Sequence, residues 1–530
     1  MKAMQSKLFL VTNSQSKTIN KETLRDICMK HNVKETNVIV KKKQNDAEFV
    51  KALRFHVNGV IGNNPIKMKV EDMAAVSRRV GIVVDEDCPE CTNGKANAEG
   101  ITGSIQDVVE FKKDQLPLHG EIWMQISQIE KETCRMRNAD KDIEGYQSSL
   151  KTKETKLREK QQRTAVSEAM GKFTVGISQS GTQRLFFLKW LKIQKTPEKK
   201  ELIKHLDEQI SNCSLGPEHF FRELGQIYEC ACSLPENNPA RQQVQHLPAL
   251  CARMLLDGFP VELVDGDASN IPMKWIKEVL TQLHQQVDTK SKILVLTVLG
   301  VQSTGKSTLL NTMFGVQFAV SSGRCTRGAF MLLIKVSEEF RSELKCDFIM
   351  IIDTEGLKSP ELATLDTSYE HDNELATLVI GLSDITIINI AMENSTEMKD
   401  ILQIVVHAFI RMKEVGKKPR CLFVHQNVSD MSAHDSNMRD RKKLMEQLDE
   451  MTRAAATMEK KEAYTKFTDV MEYDPDKDSH YIPGLWHGTP PMAPVNAGYS
   501  EAVYELKKNL IGSLQTSDNI NRINMTRRLI

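Results

Sequence analysis

Apolar and polar residues alternate along this chain in two different rhythms, and the change between them falls near residue 291. Residues 293–299 form a near-continuous apolar run, which is typical of a strand buried on both faces of a parallel sheet. Similar runs predict further strands at 330–336, 346–352, 385–391 and 420–425. Helical patterns lie between most of them, at 306–314, 372–382 and 397–415. This alternation predicts a doubly wound α/β domain with a mainly parallel sheet.

The helical period dominates before that point. Residues 121–137 carry apolar positions three or four residues apart, as in an amphipathic helix. Further helices are expected at 140–163, 202–213, 217–233, 239–257 and 273–286. We therefore divide the chain into a mixed N-terminal extension (1–117), a mostly α-helical region (118–290), the α/β domain (291–512) and a C-terminal tail (513–530).

A glycine-rich loop joins the first predicted strand of the α/β domain to its first helix. Gly300-Val301-Gln302-Ser303-Thr304-Gly305-Lys306-Ser307 matches the full P-loop pattern of phosphate-binding proteins. In that pattern, backbone N–H groups and a helix N-terminus surround an anion, a lysine reaches the β- and γ-phosphates, and a hydroxyl binds Mg²⁺. The predicted phosphate-binding residues are Gly300, Gln302, Ser303, Thr304, Gly305, Lys306, Ser307 and Thr308.

Two further positions are expected beside this loop. Asp353-Thr354-Glu355-Gly356 follows the predicted strand 346–352, so that Asp353 lies at the strand's carboxyl end, where ligands of open α/β sheets bind. Gly356 is expected to offer its N–H to a γ-phosphate. Thr326, in a polar loop, is the candidate threonine that joins Mg²⁺ when a triphosphate is bound, with a plain loop threonine as the alternative. The predicted metal ligands are Ser307, Thr326 and Asp353.

The strand 420–425 leads into a partial base-recognition motif. Guanine is commonly bound by Asn-Lys-x-Asp, and Asn427 and Asp430 keep that spacing, but Val428 replaces the lysine. The sequence therefore predicts GTP and GDP as ligands and leaves ATP as an alternative.

Composition restricts the class of protein. Lys+Arg 71 against Asp+Glu 70 gives a formal charge of +1 over 530 residues, which excludes a strongly basic nucleic-acid binder. No apolar run approaches the roughly 18 residues of a membrane-spanning helix. The 11 cysteines are scattered and odd in number, so a disulfide framework is not expected.

The motifs at 298–308, 324–328, 353–356 and 423–428 together resemble the G domain of the interferon-inducible very large GTPases, which are related to dynamin-like guanylate-binding proteins and atlastins. The resemblance extends over about residues 83–512. It implies a Mg²⁺-dependent GTPase of the cytoplasm and nucleus, induced in immune responses, that self-associates as a homodimer through the G domain. Members of that family are far longer, so the chain is expected to be a fragment or a short product.

The hydrolytic machinery departs from two familiar patterns. Leu357 occupies the position at which small GTPases carry a water-orienting glutamine, and Ser303 occupies the P-loop position at which guanylate-binding proteins carry an arginine. Arg324 and Arg327 flank Thr326 and are the candidates for the charge that stabilises the transition state, in cis or across a dimer, together with Lys306. The alternative for the two arginines is a solvated loop charge, or attraction of the phosphates without catalysis. Two interpretations remain open, a GTPase whose nucleotide cycle drives self-association and a nucleotide-binding interaction module with little or no hydrolysis.

Overall fold

The computed structural model describes residues 10–13, 38–41, several single positions between 25 and 81, and most of 84–516. Within 84–516 the gaps are 104, 137–141, 180, 195–213, 289–290, 317, 319–325, 358–367, 392–394, 417–419, 429–433, 472 and 487–494. The chain forms two units, one of residues 1–84 with 488–494 and one of residues 85–487 with 495–530. In the first unit, strands β1 (Leu10–Asn13) and β2 (Val38–Lys41) pair in parallel.

The second unit begins with helices. Those before the main sheet are α1 (Pro89–Thr102), α2 (Val108–Gln115), α3 (Trp123–Arg135), α4 (Ile143–Arg163), α5 (Glu168–Ile177), α6 (Gly181–Trp190), α7 (Pro217–Ala231), α8 (Pro239–Val244), α9 (Leu247–Leu256) and α10 (Met273–Gln286). A short π-helical turn, Leu118–Ile122, precedes α3, and β3 (Ile193–Gln194) pairs with β4 (Ser214–Leu215). The expected helix at 202–213 lies outside the described residues.

Helix α7 is the centre of this helical region. It begins with a proline in its first turn, where a missing N–H costs nothing. Phe220 is fully buried and its ring stacks on that of Phe173 in α5 at 4.9 Å. Phe221 meets Phe173 edge to face at 5.2 Å. Aromatic packing therefore joins α5 and α7 in the largest apolar core among the described residues.

A seven-stranded sheet follows, in the order β11-β10-β9-β6-β8-β7-β5. Its strands are β5 (Val261–Val264), β6 (Ile293–Gly300), β7 (Ala329–Lys335), β8 (Phe348–Thr354), β9 (Ile385–Ala391), β10 (Arg420–Val428) and β11 (Ser479–Pro483). Strands β6, β8, β9, β10 and β11 run parallel, whereas β7 is antiparallel to both β8 and β5. The prediction of a mainly parallel sheet is confirmed.

Helices cover both faces of the sheet. Those after the P-loop strand are α11 (Lys306–Phe314), α12 (Glu338–Leu344), α13 (Ser368–Leu382), α14 (Ser395–Glu414), α15 (His434–Met458), α16 (Phe467–Val470) and α17 (Ala497–Thr516). Along β6, Val295 belongs to the core that contains α13 and α14, while the next residue, Leu296, belongs to the core that contains α11 and α17. Successive side chains of one strand thus fill two cores, which explains the continuous apolar run and confirms the doubly wound architecture.

Two strands of the sheet were not predicted. Strand β5 lies in the region 118–290, for which the sequence predicts mostly α-helix, and it forms one edge of the sheet against β7. It contains four residues between Pro260 and Asp265, too few for a period of two to be recognised. Strand β11 forms the other edge and contains Ser479 and His480, which dilute its apolar pattern.

Among the described helices, none combines the length and apolar character that crossing a bilayer requires. The cysteines at eight described positions are all free thiols.

Candidate functional site

The P-loop lies where the sequence predicts it, between β6 and α11 at the carboxyl edge of the parallel strands. Ser303 and Gly305 both have positive φ, at 62° and 80°, which curls the backbone around the loop interior. The side chain of Lys306 is buried, and its Nζ donates to the carbonyl oxygens of Val301 at 2.9 Å and Gly300 at 3.3 Å. The side chain of Lys306 therefore folds back across the P-loop, and its Nζ lies where a bound phosphate is expected.

Three predicted metal ligands meet beside the loop. Oγ of Ser307 donates to Oδ2 of Asp353 at 2.7 Å, and Oγ1 of Thr326 donates to the same oxygen at 3.1 Å. The two hydroxyl oxygens are 3.4 Å apart. Asp353 is fully buried at the end of β8, and this burial raises the pKa of its carboxyl group although Ser307, Lys306 and Thr326 act in the opposite direction.

This cluster fits a magnesium ion. Oδ1 of Asp353 is buried and has no hydrogen-bond partner among the described residues. A carboxylate and two hydroxyls are hard oxygen ligands, the kind that Mg²⁺ prefers, and Mg²⁺ commonly takes only one or two protein ligands together with phosphate oxygens. Ser307, Thr326 and Asp353 would therefore hold the ion against a bound triphosphate.

Gly356, in the segment after β8, lies directly against the P-loop. A Cβ at this position would collide with the backbone of Gln302, so no other residue fits without a shift. The next residue, Leu357, donates its N–H to the carbonyl of Gly300 at 3.0 Å, and its side chain is fully buried. Oε1 of Gln302 is buried and has no hydrogen-bond partner in the described part of the chain.

Glu355, for which the sequence predicted no role, connects the two segments on either side of the cluster. Its Oε2 accepts from the N–H of Gly328 at 3.0 Å, and its own N–H donates to the carbonyl of Gly328 at 2.8 Å. Its Oε1 pairs with Nε2 of His371 in α13. The carboxylate therefore fastens the chain just after Thr326 to the start of α13, although Gly328 and His371 are distant from it in sequence.

Two buried side-chain amides, from β9 and β10, form a hydrogen-bonded chain that ends on the P-loop. Asn389, fully buried in the carboxyl-terminal half of β9, donates from Nδ2 to the carbonyl oxygen of Thr304 at 2.8 Å and to its Oγ1 at 2.9 Å. Gln426 of β10 donates from Nε2 to Oδ1 of Asn389 at 2.7 Å. Neither residue was predicted from the sequence, in which each is only a polar residue within a mostly apolar strand.

The base-recognition end is described in part. Asn427 lies near the end of β10 with φ of 60° and is exposed. It stands between Gln426, which pairs with Ala391 of β9, and Val428, which pairs with Pro483 of β11. Asp430 and Arg324 lie outside the described residues. Thr308 occupies the first turn of α11, where its carbonyl accepts from Thr312 Oγ1 at 2.8 Å.

Arg327 contacts the helical region. Its Nη1 donates to Oδ1 of Asp267, in the turn after β5, at 3.0 Å. Asp267 also pairs with Arg222 of α7, whose buried guanidinium makes a two-pronged contact with Glu262 at 2.6 and 2.7 Å. Burial alone would raise the pKa of Asp267, but Arg222 and Arg327 outweigh it and hold that pKa below its usual range. This acidic turn therefore binds two arginines of the chain itself.

The fold and the site define a P-loop protein with a GTPase-type α/β domain. Residues 192–500 match the URGCP-like GTPase domain, and residues 1–102 match the up-regulator of cell proliferation-like domain. The chain belongs to the family of proteins that carry the URGCP-like GTPase domain. The matched segment begins well before the P-loop, so it includes part of the helical region and β5.

Two longer proteins are similar in sequence to this chain over about nine tenths of its length. It is 39% identical over 504 residues to the up-regulator of cell proliferation of Bos taurus, with 91% of this chain and 54% of that protein covered. It is 37% identical over 514 residues to the interferon-induced very large GTPase 1 of Mus musculus, with 89% of this chain and 21% of that protein covered. The chain thus spans about half the length of the first relative and about a fifth of the second. Toc33 from Arabidopsis thaliana in complex with GDP and Mg²⁺ is similar at 15% identity, over 46% of this chain and 91% of that one, with a TM-score of 0.27.

Proposed function

We propose that this chain binds GTP and GDP together with Mg²⁺ and hydrolyses GTP to GDP and phosphate. The observation that carries the proposal is the meeting of Ser307, Thr326 and Asp353 at one carboxylate oxygen, beside the P-loop lysine. These residues come from three different segments, and a plain glycine turn would not bring them together. Membership of a GTPase-domain family supports guanine nucleotide as the ligand.

The residues have separate tasks in this scheme. The N–H groups of the P-loop surround the phosphates, and Lys306 exchanges its carbonyl contacts for phosphate oxygens. A bound Mg²⁺ neutralises charge that develops on the phosphates. Thr326 senses the γ-phosphate, because its hydroxyl lies among the proposed metal ligands. Two residues later the N–H of Gly328 donates to Glu355, so the segment that carries Thr326 is connected to the chain after β8. Asn427 and Asp430 are proposed to bind the base.

Hydrolysis requires a group that compensates charge on the γ-phosphoryl. Lys306 is one such group, and Arg324 and Arg327 remain the candidates for a second. Arg327 pairs with Asp267, so its use in hydrolysis in cis would require that this contact open. We also propose nucleotide-linked self-association through the G domain, and a cytoplasmic and nuclear location, on the strength of the family resemblance alone.

Calorimetry and phosphate release test the proposal. Wild type and Lys306→Ala are titrated with GTP, GDP and ATP in the presence of Mg²⁺. We expect guanine nucleotides to bind wild type and not Lys306→Ala, and ATP to bind more weakly. Phosphate release from GTP should rise with protein concentration, more steeply than in proportion if self-association assists turnover. Equal binding of GTP by wild type and Lys306→Ala would contradict the proposal.

A second candidate function has its own observation. Leu357 is fully buried where small GTPases carry a water-orienting glutamine, and Arg327 is held by Asp267. Both favour a nucleotide-binding interaction module that hydrolyses little. Tight GTP binding without phosphate release at any protein concentration would select this alternative.

A further inference from the structure

Asn389 is a polar residue in the middle of the sheet, and its position is costly unless its amide is satisfied. Strand β9 is otherwise apolar where it is fully buried, apart from Thr386. A buried side-chain amide without hydrogen bonds is strongly unfavourable, because it loses the hydrogen bonds that it makes with water in the unfolded chain. In this protein both polar atoms of the Asn389 amide are hydrogen-bonded, since Nδ2 donates to Thr304 and Oδ1 accepts from Gln426.

The contact with the carbonyl of Thr304 fixes the direction of the next N–H group. A peptide unit is planar and trans, so the carbonyl of Thr304 and the N–H of Gly305 point in opposite directions. Because Asn389 holds the carbonyl on the β9 side at 2.8 Å, the N–H of Gly305 points away from β9, into the loop. That N–H belongs to the group of donors expected to face a phosphate.

The hydroxyl of Thr304 strengthens the same arrangement. Oγ1 accepts from Nδ2 of Asn389 at 2.9 Å and donates to the carbonyl of Val301 at 2.8 Å. Thr304 is thereby held at two atoms, and the start of the loop is held as well. Gly300 lets the loop come this close, since a Cβ there would collide with the carbonyl of Asn389.

Gln426 decides which way the amide of Asn389 faces. Its Nε2 donates to Oδ1 of Asn389, which leaves only Nδ2 to face the P-loop. Gln426 immediately precedes Asn427, the first residue of the base-recognition motif, and its Oε1 packs on Gly305, 2.9 Å from where a Cβ would lie. The two amides therefore connect the strand that leads to the base with the loop that holds the phosphates.

We propose that Asn389 and Gln426 are positioning residues for nucleotide binding, which orient the N–H of Gly305 toward the phosphates and join this orientation to the base-binding end of β10. The inference rests on the proposed guanine-nucleotide binding. It differs from the established parts of a P-loop in that the loop is set from outside, by side chains of β9 and β10.

The test compares Asn389→Asp with a matched control on a helix surface. Asn389→Asp keeps the size of the side chain but replaces the donor that faces Thr304 with an acceptor. Asn373→Asp makes the same change in α13, where Nδ2 donates to a helical carbonyl, that of Tyr369, at 2.9 Å. Gln426→Leu removes the group that orients Asn389 and serves as the second variant if Asn389→Asp does not fold.

We expect Asn389→Asp to raise the Kd for Mg²⁺–GDP by about tenfold or more, as for loss of a buried hydrogen-bonded donor. Gln426→Leu should give a smaller rise in the same direction, and Asn373→Asp should bind as wild type. The ³¹P resonance of the β-phosphate of bound GDP should shift in Asn389→Asp, which a purely structural role would not cause. Any turnover should show a raised KM with kcat changed less.

The result separates this inference from the proposed function. If wild type binds GDP, Lys306→Ala does not, and both folded variants of the amide pair bind GDP within twofold of wild type, the positioning role is wrong and the proposed function stands. If Asn389→Asp is unfolded, normal GDP affinity and an unshifted β-phosphate resonance in Gln426→Leu overturn it. If wild type itself binds no guanine nucleotide, the proposed function fails and this inference fails with it.

Discussion

Nη1 of Arg327 lies 3.0 Å from Oδ1 of Asp267, and this contact ties the segment that carries Thr326 to the turn after β5. Both side chains are only partly exposed, so solvent screens the pair incompletely. The contact holds a candidate catalytic guanidinium on a carboxylate of the helical region. Its two partners allow the role of Arg327 to be tested from both sides.

We expect Asp267→Asn to raise GTP turnover, because it weakens the charge that holds Arg327. A catalytic arginine contributes on the order of 10³- to 10⁵-fold in P-loop enzymes, so even partial release should raise kcat by about tenfold. The double variant Asp267→Asn with Arg327→Ala should lose this gain. Phosphate release at fixed protein concentration measures it. Unchanged turnover in Asp267→Asn and in Arg327→Ala alike would remove Arg327 from the catalytic candidates.

Ser307 and Thr326 should differ in the nucleotide state that they affect. Ser307→Ala is expected to weaken Mg²⁺-dependent binding of both GDP and GTP by about tenfold or more, on the scale of lost metal-site partners. Thr326→Ala should weaken binding of a non-hydrolysable GTP analogue and leave GDP nearly unchanged, because its hydroxyl is expected to act only with the triphosphate. Thr312→Ala, on the exposed side of the same helix as Ser307, is the control. Calorimetry with and without EDTA measures each affinity, and an equal effect of Thr326→Ala on both nucleotides would contradict the prediction.

His425 predicts a pH dependence of stability. Neither ring nitrogen has a hydrogen-bond partner in the described part of the chain, and the ring stacks on Tyr481 at 4.8 Å. Burial, with the positive charges of Arg441 and His480, lowers the pKa of His425 to about 4. This histidine binds a proton near pH 6.5 in the unfolded chain but not in the folded chain. Its contribution to the free energy of unfolding is therefore fully present above pH 6.5 and is lost as the pH falls toward 4.

We expect His425→Phe to flatten this dependence. The stacked ring is kept, the two unpaired nitrogens are removed, and the loss of at most about 1.4 kcal/mol per pH unit attributable to this group should vanish. His246→Phe, at an exposed histidine, is the control. Denaturant unfolding at pH 7, 6 and 5 measures the effect. Parallel curves for wild type and His425→Phe would show that the buried ring does not control the acid response.

We expect Glu223 to stabilise the helical region strongly. Its carboxylate is buried and accepts from the N–H groups of Leu118 and His119, each at 2.9 Å, and lies 3.2 Å from Nδ1 of His119. Hydrogen bonds to a charged group contribute about 1.5–3 kcal/mol each, so Glu223→Gln should lower the free energy of unfolding by about 2–3 kcal/mol. Glu236→Gln, on an exposed side chain, is the control. A loss below about 0.5 kcal/mol, the usual range of surface changes, would contradict the prediction.

The sequence was sufficient for the elements with a strong local pattern. Helices α10 and α11 have the bounds that their periodicity and flanking turns predicted, and β6 ends at the first glycine of the P-loop. The P-loop could be recognised from the sequence because a single continuous segment of backbone forms it. Strand β5 was missed because an edge strand of four residues owes its conformation to the partner strand and not to its own pattern.

The connections around the site could not be read in the same way. Glu355 contacts His371, and Asn389 contacts Thr304, because the sheet brings separate chain segments together. Local spacing does not encode such pairs. Their trace in the sequence is a polar residue at a position that the periodicity marks as buried, and Asn389 in β9 and Glu223 in α7 both fit that description.

Strand β5 has a consequence for how the protein can be divided. A cut placed just before β6, where the α/β pattern begins, would leave β7 with an unpaired row of backbone donors and acceptors over residues that β5 now covers. Open strands of this kind recruit other chains. A soluble, autonomous nucleotide-binding fragment should therefore start upstream of Val261, and shorter ones should precipitate for a reason unrelated to nucleotide.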